Sequence, residues 1–205
     1  MSPTEHSLMC MQHCSSDSYL IFTTFPRSCE VCGSVLENCR LRVPPFRLPN
    51  PFVASRCVPR SVLIRPTRGD FLSDYQNGDN LHIGISDENG SVYHYDERGA
   101  NIDTCGWDQC VVVEIQNRSH IEDKWREILH SSQLSDLWTS ERYDETSHNC
   151  YDYVLNVIRQ LLFVTAPKQD FCRQFILPVT TKIAKYLEMY RKVKIRGVVV
   201  TQSLS

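Results

Sequence analysis

Two short runs, LHIGIS at 81–86 and SVYHYD at 91–96, alternate in polarity on either side of DENG, and this confines the segment to a β-hairpin. Side chains alternate between faces with a period of two, so the loop length decides which residues share a face. A loop of Glu88, Asn89 and Gly90, with Gly90 in the left-handed position, sets Asp87 opposite Ser91, Ile85 opposite Tyr93 and Ile83 opposite Tyr95. One face is then uniformly apolar. The other carries His82, Gly84 and Ser86 opposite Asp96, His94 and Val92, which makes His94 a diagonal neighbour of His82. A two-residue loop would scatter the apolar residues over both faces.

The segments around the hairpin complete an α+β pattern. SVLIR from Ser61 and CVVVEI at 110–115 read as strands, and Ser119 with Glu122 forms a capping box ahead of Ile121, Trp125, Ile128 and Leu129. Helical spacing predicts a second helix from about Asn149 to Val164, with Ser147 or Asn149 as its cap, and a third over about Thr180–Lys192. GVVVT at 197–201 reads as a closing strand. Four prolines within PPFRLPNPF (44–52) favour an extended linker. The boundary is accordingly set near residue 58: a cysteine-rich segment, 1–58, precedes an α+β domain, 59–205.

The chain has 205 residues and a net charge of −2, which gives no whole-chain case for nucleic acid, so any basic surface must be local. Between Lys182 and Arg196 six basic residues face Glu188 alone, a pattern read as the solvated outer face of a helix or a surface toward acidic partners or a membrane. No run reaches the roughly 18 apolar residues of a membrane span, and the first thirty residues lack secretory features, so an intracellular protein, cytoplasmic or nuclear, is expected. Its ten cysteines are then reduced thiols, metal ligands or a nucleophile rather than disulfides, and the sequons at Asn89 and Asn117 are idle.

Cys29 and Cys32 have the C-x-x-C spacing of a metal half-site and precede Gly33; Cys14 and Cys57 complete a tetrahedral zinc set, for either of which His13 or Cys39 could substitute. A metal would let a segment too small for its own core fold. Scattered reduced thiols are the alternative. No organic cofactor is expected.

Cys150 opens the second helix in SHNCYDYV, where the partial positive charge of a helix N-terminus lowers a thiol pKa. A histidine within hydrogen-bond reach would take its proton and a second polar group would orient the imidazole, roles that His82 and His94 fit.

LHIGIS, followed by His94 and then by NCYDYV, resembles the circularly permuted papain-like thiol enzymes of NlpC/P60 type, including the lecithin retinol acyltransferase-like and PPPDE-like families. Tyr151 and Asp152 stand where those families often carry Glu or Asn and then His. Along most of its length, through LIRPT, LHIGI, VYHY and HNCYDY, the chain is similar to the makorin-2 opposite strand protein family, whose name implies no activity. The papain-like resemblance implies a hydrolase or acyltransferase in which Cys150 attacks an ester, thioester or amide carbonyl, His82 acts as base and His94 orients it. The competing function is a noncatalytic binding or scaffold protein on an inherited thiol-hydrolase fold, with a protein partner elsewhere on its surface.

Overall fold

The alternation around DENG becomes the hairpin it predicts. In the computed structural model, which describes residues 7–115, 122–162 and 166–204, the strands are β1 (Met9–Gln12), β2 (Tyr19–Phe22), β3 (Val43–Arg47), β4 (Val62–Pro66), β5 (Leu81–Ser86), β6 (Val92–Asp96), β7 (Gly99–Asp103), β8 (Val111–Val113) and β9 (Val198–Thr201). The helices are α1 (Glu122–Gln133), α2 (Cys150–Leu162) and α3 (Lys168–Phe171), the last continuing through a π-turn at Cys172–Ile176 into α4 (Leu177–Arg196). The fold is mixed α+β with two antiparallel sheets. Two compact units divide it: Met1–Asn50 with Ile183–Ser205, and Pro51–Lys182.

The Pro51–Lys182 unit holds the sheet β7-β6-β5-β4-β8. Gly84 pairs with His94, Ile85 with Tyr93 and Ser86 with Val92, the register that the apolar pattern selects. Asp87 and Gly90 close the turn, with Asp87 N–H donating to Ser91 O at 2.9 Å and Gly90 at φ +85°. Because β4 and β8 continue the pairing, with Val62 beside both Ile85 and Val113, one sheet face is lined by Val62, Ile64, Ile83, Ile85, Tyr93 and Tyr95. That face receives α2: Ile158 and Leu161, with Trp125 of α1, border the same small cavity as Val62 and Val113, and Tyr153 meets Tyr95 at 6.3 Å. The opposite face packs Leu63 and Val92 against Trp107 and Cys110.

The other unit forms the sheet β3-β1-β2-β9. Met11, Leu20 and Phe22 on one of its faces pack with Cys29 and Leu36. α4 buries Ile183, Leu187, Tyr190 and Val193.

Some of these readings change. Val43–Arg47 is an edge strand paired with β1 rather than a linker; prolines, which cannot donate to a ladder, are tolerated at an edge. The compact units divide between Asn50 and Pro51, and GVVVT, read as a closing strand, pairs with β2 in the sheet β3-β1-β2-β9. The third helix is longer than its apolar stripe, running to Arg196. The capping box at Ser119 and the expected helix end at Val164 lie outside the described residues.

Candidate functional site

β1 ends at Gln12, so His13 and Cys14 leave the strand side by side. Opposite them the chain folds back on itself between Arg27 and Leu36: Leu36 N–H donates to Arg27 O at 2.9 Å, Cys29 N–H to Ser34 O at 2.9 Å and Gly33 N–H to Cys29 O at 2.8 Å. Gly33, at φ +75°, supplies the left-handed residue this turn requires. Val31 N–H points at Cys29 Sγ, 3.4 Å away. One ligand atom each of His13, Cys14, Cys29 and Cys32 then lies within 4.8 Å of all the others.

Cys14 Sγ and Cys29 Sγ are 3.9 Å apart, and Cys32 Sγ and His13 Nδ1 3.4 Å. Tetrahedral zinc with sulfur at about 2.3 Å and nitrogen at about 2.0 Å has edges of roughly 3.8 Å and 3.5 Å, so the residues fit such an ion. The electrostatics agree. Hydrogen bonds from the Ser34 hydroxyl and backbone draw the Cys32 thiol down to about 6, while desolvation and the neighbouring thiols of Cys32 and Cys29 push Cys14 up to about 11. One thiolate forms easily and discourages the next, a conflict that a divalent cation removes.

The expected fourth ligand, Cys57, is not in this set. It ends a short turn, Ser55–Cys57, in the other unit and is exposed. His13 takes the place because it leaves β1 next to Cys14. Cys39, the other substitute, instead donates its thiol to Leu36 O at 3.4 Å.

On the sheet of the Pro51–Lys182 unit, His82 Nε2 and His94 Nδ1 are hydrogen-bonded at 2.9 Å. His94 Nε2 lies 3.0 Å from Asp103 Oδ2, at an angle outside hydrogen-bond geometry, and the same oxygen accepts from Trp107 Nε1 at 3.3 Å. The Trp107 ring lies 5.9 Å from each imidazole. Burial, with His94 adding to it, lowers the His82 pKa to about 3, and burial lowers His94 against the opposing pull of Asp103. Both rings are therefore neutral at pH 7. Asp96, expected across from His82, is held by Arg98 at 2.7 Å and Asn101 at 3.0 Å. Asp103 and Trp107 were not legible as partners, because β7 (GANID) lacks the alternation that marks a strand.

Cys150 begins α2 as the spacing predicts. Tyr151 N–H donates to Asn149 Oδ1 and Asn149 N–H to Asp152 Oδ2, each at 3.0 Å, a reciprocal cap. The Cys150 thiol is only 6% exposed and within hydrogen-bonding reach of the Ile83 backbone; burial pushes it up to about 11, against the helix terminus. Since α2 packs on the face of Ile83 and Tyr95, while His82 and His94 project from the other, β5 lies between the thiol and the imidazoles. The structure brings His82 to His94 but not Cys150 to either: among the described residues no hydrogen bond joins them. His148, two residues earlier, stacks on Trp138 at 4.6 Å.

Among the described residues no helix is long and apolar enough to cross a membrane. No solved structure matches the chain. The human MKRN2 opposite strand protein is 30% identical over 201 residues, covering 95% of this chain and 89% of that protein. Residues 6–36 match the family described as DUF4796 N-terminal, and residues 45–193 the one described as DUF4796 C-terminal. With the second match alone spanning most of the sequence, the chain belongs to the DUF4796 family.

Proposed function

We propose that this chain is a noncatalytic binding protein whose N-terminal unit folds around a structural zinc ion. One observation carries the noncatalytic reading: α2 packs on the sheet face opposite His82 and His94. A permuted papain-like hydrolase or acyltransferase needs its nucleophile and base within proton-transfer distance on the same side of the strand. Here the imidazoles are hydrogen-bonded to each other with Asp103 and Trp107 beside them, and burial keeps the thiol protonated. The spacing of His13, Cys14, Cys29 and Cys32 supports the zinc reading. Ten free cysteines favour a reducing compartment, cytoplasmic or nuclear.

Site-resolved alkylation of the full chain against pH tests the first part. Cys150 should label only above the ordinary thiol pKa of about 8.5 and more slowly than the exposed cysteines. Selective labelling of Cys150 below neutrality would overturn the noncatalytic reading in favour of the thiol enzyme. Elemental analysis tests the second: one equivalent of zinc is expected after chelator-free purification, retained in Cys57→Ser and lost in Cys29→Ser. Less than a tenth of an equivalent in the unmodified chain would overturn it.

A further inference from the structure

Ile183, Leu187, Tyr190 and Val193 are all buried, and this stripe fixes which side of α4 faces inward. At about 3.6 residues per turn, Lys185, Lys192 and Arg196 stack within an arc of about 40° on the side away from that stripe, along about 17 Å of the axis. All three are exposed. Ile195 lies about 60° from Lys192 on the same outer side and adjoins Arg196 in sequence. It is 84% exposed, more than any other large apolar side chain among the described residues.

The ordinary solvated face of a helix does not account for this arrangement. Such faces mix charges of both signs in pairs three or four residues apart. From Lys185 to Arg196 five cations, Lys185, Arg191, Lys192, Lys194 and Arg196, stand against Glu188 alone, and Lys192 holds that carboxylate at 2.6 Å. Among the described residues Lys185, Lys194 and Arg196 form no ion pair. Cations in the last turn complement the helix dipole, which explains Lys194 and Arg196. It explains neither Lys185, about three turns earlier, nor an isoleucine open to water.

We infer that the outer face of α4 docks on an anionic phospholipid surface, with Lys185, Lys192 and Arg196 against headgroup phosphates and Ile195 entering the acyl boundary. Clusters of basic residues on one helix are what an anionic leaflet attracts, and their long stems let the charge stay at the headgroups while an aliphatic neighbour goes deeper. Nucleic acid would call for exposed rings on which bases stack, whereas the aromatic residues of α4, Tyr186 and Tyr190, are half-buried and buried. An acidic protein patch would answer the cations and leave Ile195 against polar groups. A cytoplasmic location, one of the two that the free cysteines favour, sets α4 before the leaflet rich in anionic lipid. Membrane docking deepens the binding-protein reading and rests on it.

The test is flotation of the full chain with vesicles of equal parts phosphatidylserine and phosphatidylcholine, against vesicles of phosphatidylcholine alone. The chain should float with the anionic vesicles, stay behind with the neutral ones, and be released as salt screens the charges. The double variant Lys185→Gln, Arg196→Gln should partition at least tenfold more weakly, at about fivefold for each lost cation. Ile195→Ala should partition severalfold more weakly at low and at moderate salt alike, because its contribution is apolar. All three positions are exposed, and unchanged circular dichroism verifies folding. No flotation with the anionic vesicles at millimolar lipid overturns the inference, as does equal flotation with the neutral ones. So does indifference to the double variant or to Ile195→Ala, or a tighter hold on single-stranded RNA or polyglutamate than on the vesicles, which would assign the face to nucleic acid or acidic proteins. Each of these failures would leave the zinc equivalent and the slow alkylation of Cys150 in place, so it would not be mistaken for failure of the binding-protein reading.

Discussion

His82 is buried, uncharged and committed to His94, so acid must disrupt what neutrality keeps. Its folded pKa of about 3 lies below the unfolded value of about 6.5, so the unfolded chain binds more protons throughout that window. Stability is therefore full above about 6.5 and falls with pH by up to about 1.4 kcal/mol per unit for this residue. Urea melts at pH 7 and pH 4.5 should show a loss that shrinks in His82→Gln; an undiminished loss in the variant would place the acid sensitivity elsewhere. The shared face of His82 and His94 was legible because register follows from a two-residue period. Asp103 and Trp107 were not, since strand pairing and a tertiary contact bring them there. The candidate metal ligands were legible to the same extent: Cys14, Cys29 and Cys32 by composition and spacing, but His13 over Cys57 only through the path of the chain after β1.

The β5–β6 hairpin was legible because its alternation and its turn residues agree, whereas β3 was concealed by prolines that only an edge position tolerates. Gly84 marks a constraint the pattern does not express. A Cβ there would lie 2.5 Å from Val92 Cγ1 and 3.0 Å from the Trp107 ring. Gly84→Ala should cost about 1–3 kcal/mol, as overpacking does, read as a lowered denaturation midpoint with m unchanged. A midpoint equal to that of the parent would show that Trp107 moves aside freely. For α2 the helical period predicted the element and its start, but which sheet face it covers depends on Tyr153, Ile158 and Leu161 meeting Val62, Val113 and Tyr95. The Cys150–His82 pairing depended on that choice.

Across the molecule, the three tryptophans, Trp107, Trp125 and Trp138, all belong to the Pro51–Lys182 unit, while the four candidate metal ligands belong to the other. Chelation should therefore reduce the far-ultraviolet circular dichroism and leave tryptophan emission nearly unchanged, because each unit has a core of its own. A parallel collapse of both signals would show that the ion holds the whole chain together. A charge at Val199, 8% exposed in β9, should mimic chelation by removing the fourth strand: Val199→Asp is expected to cost about 2–4 kcal/mol and to lower zinc occupancy. The pairing of β2 with β9 also orders events during synthesis. β2 leaves the ribosome before the hairpin unit has been made and β9 only after it, so Cys14, Cys29 and Cys32 emerge long before their sheet can close. Until then these thiols are open to oxidants, and a metal taken up by His13, Cys14, Cys29 and Cys32 would sit beside a sheet still lacking its fourth strand.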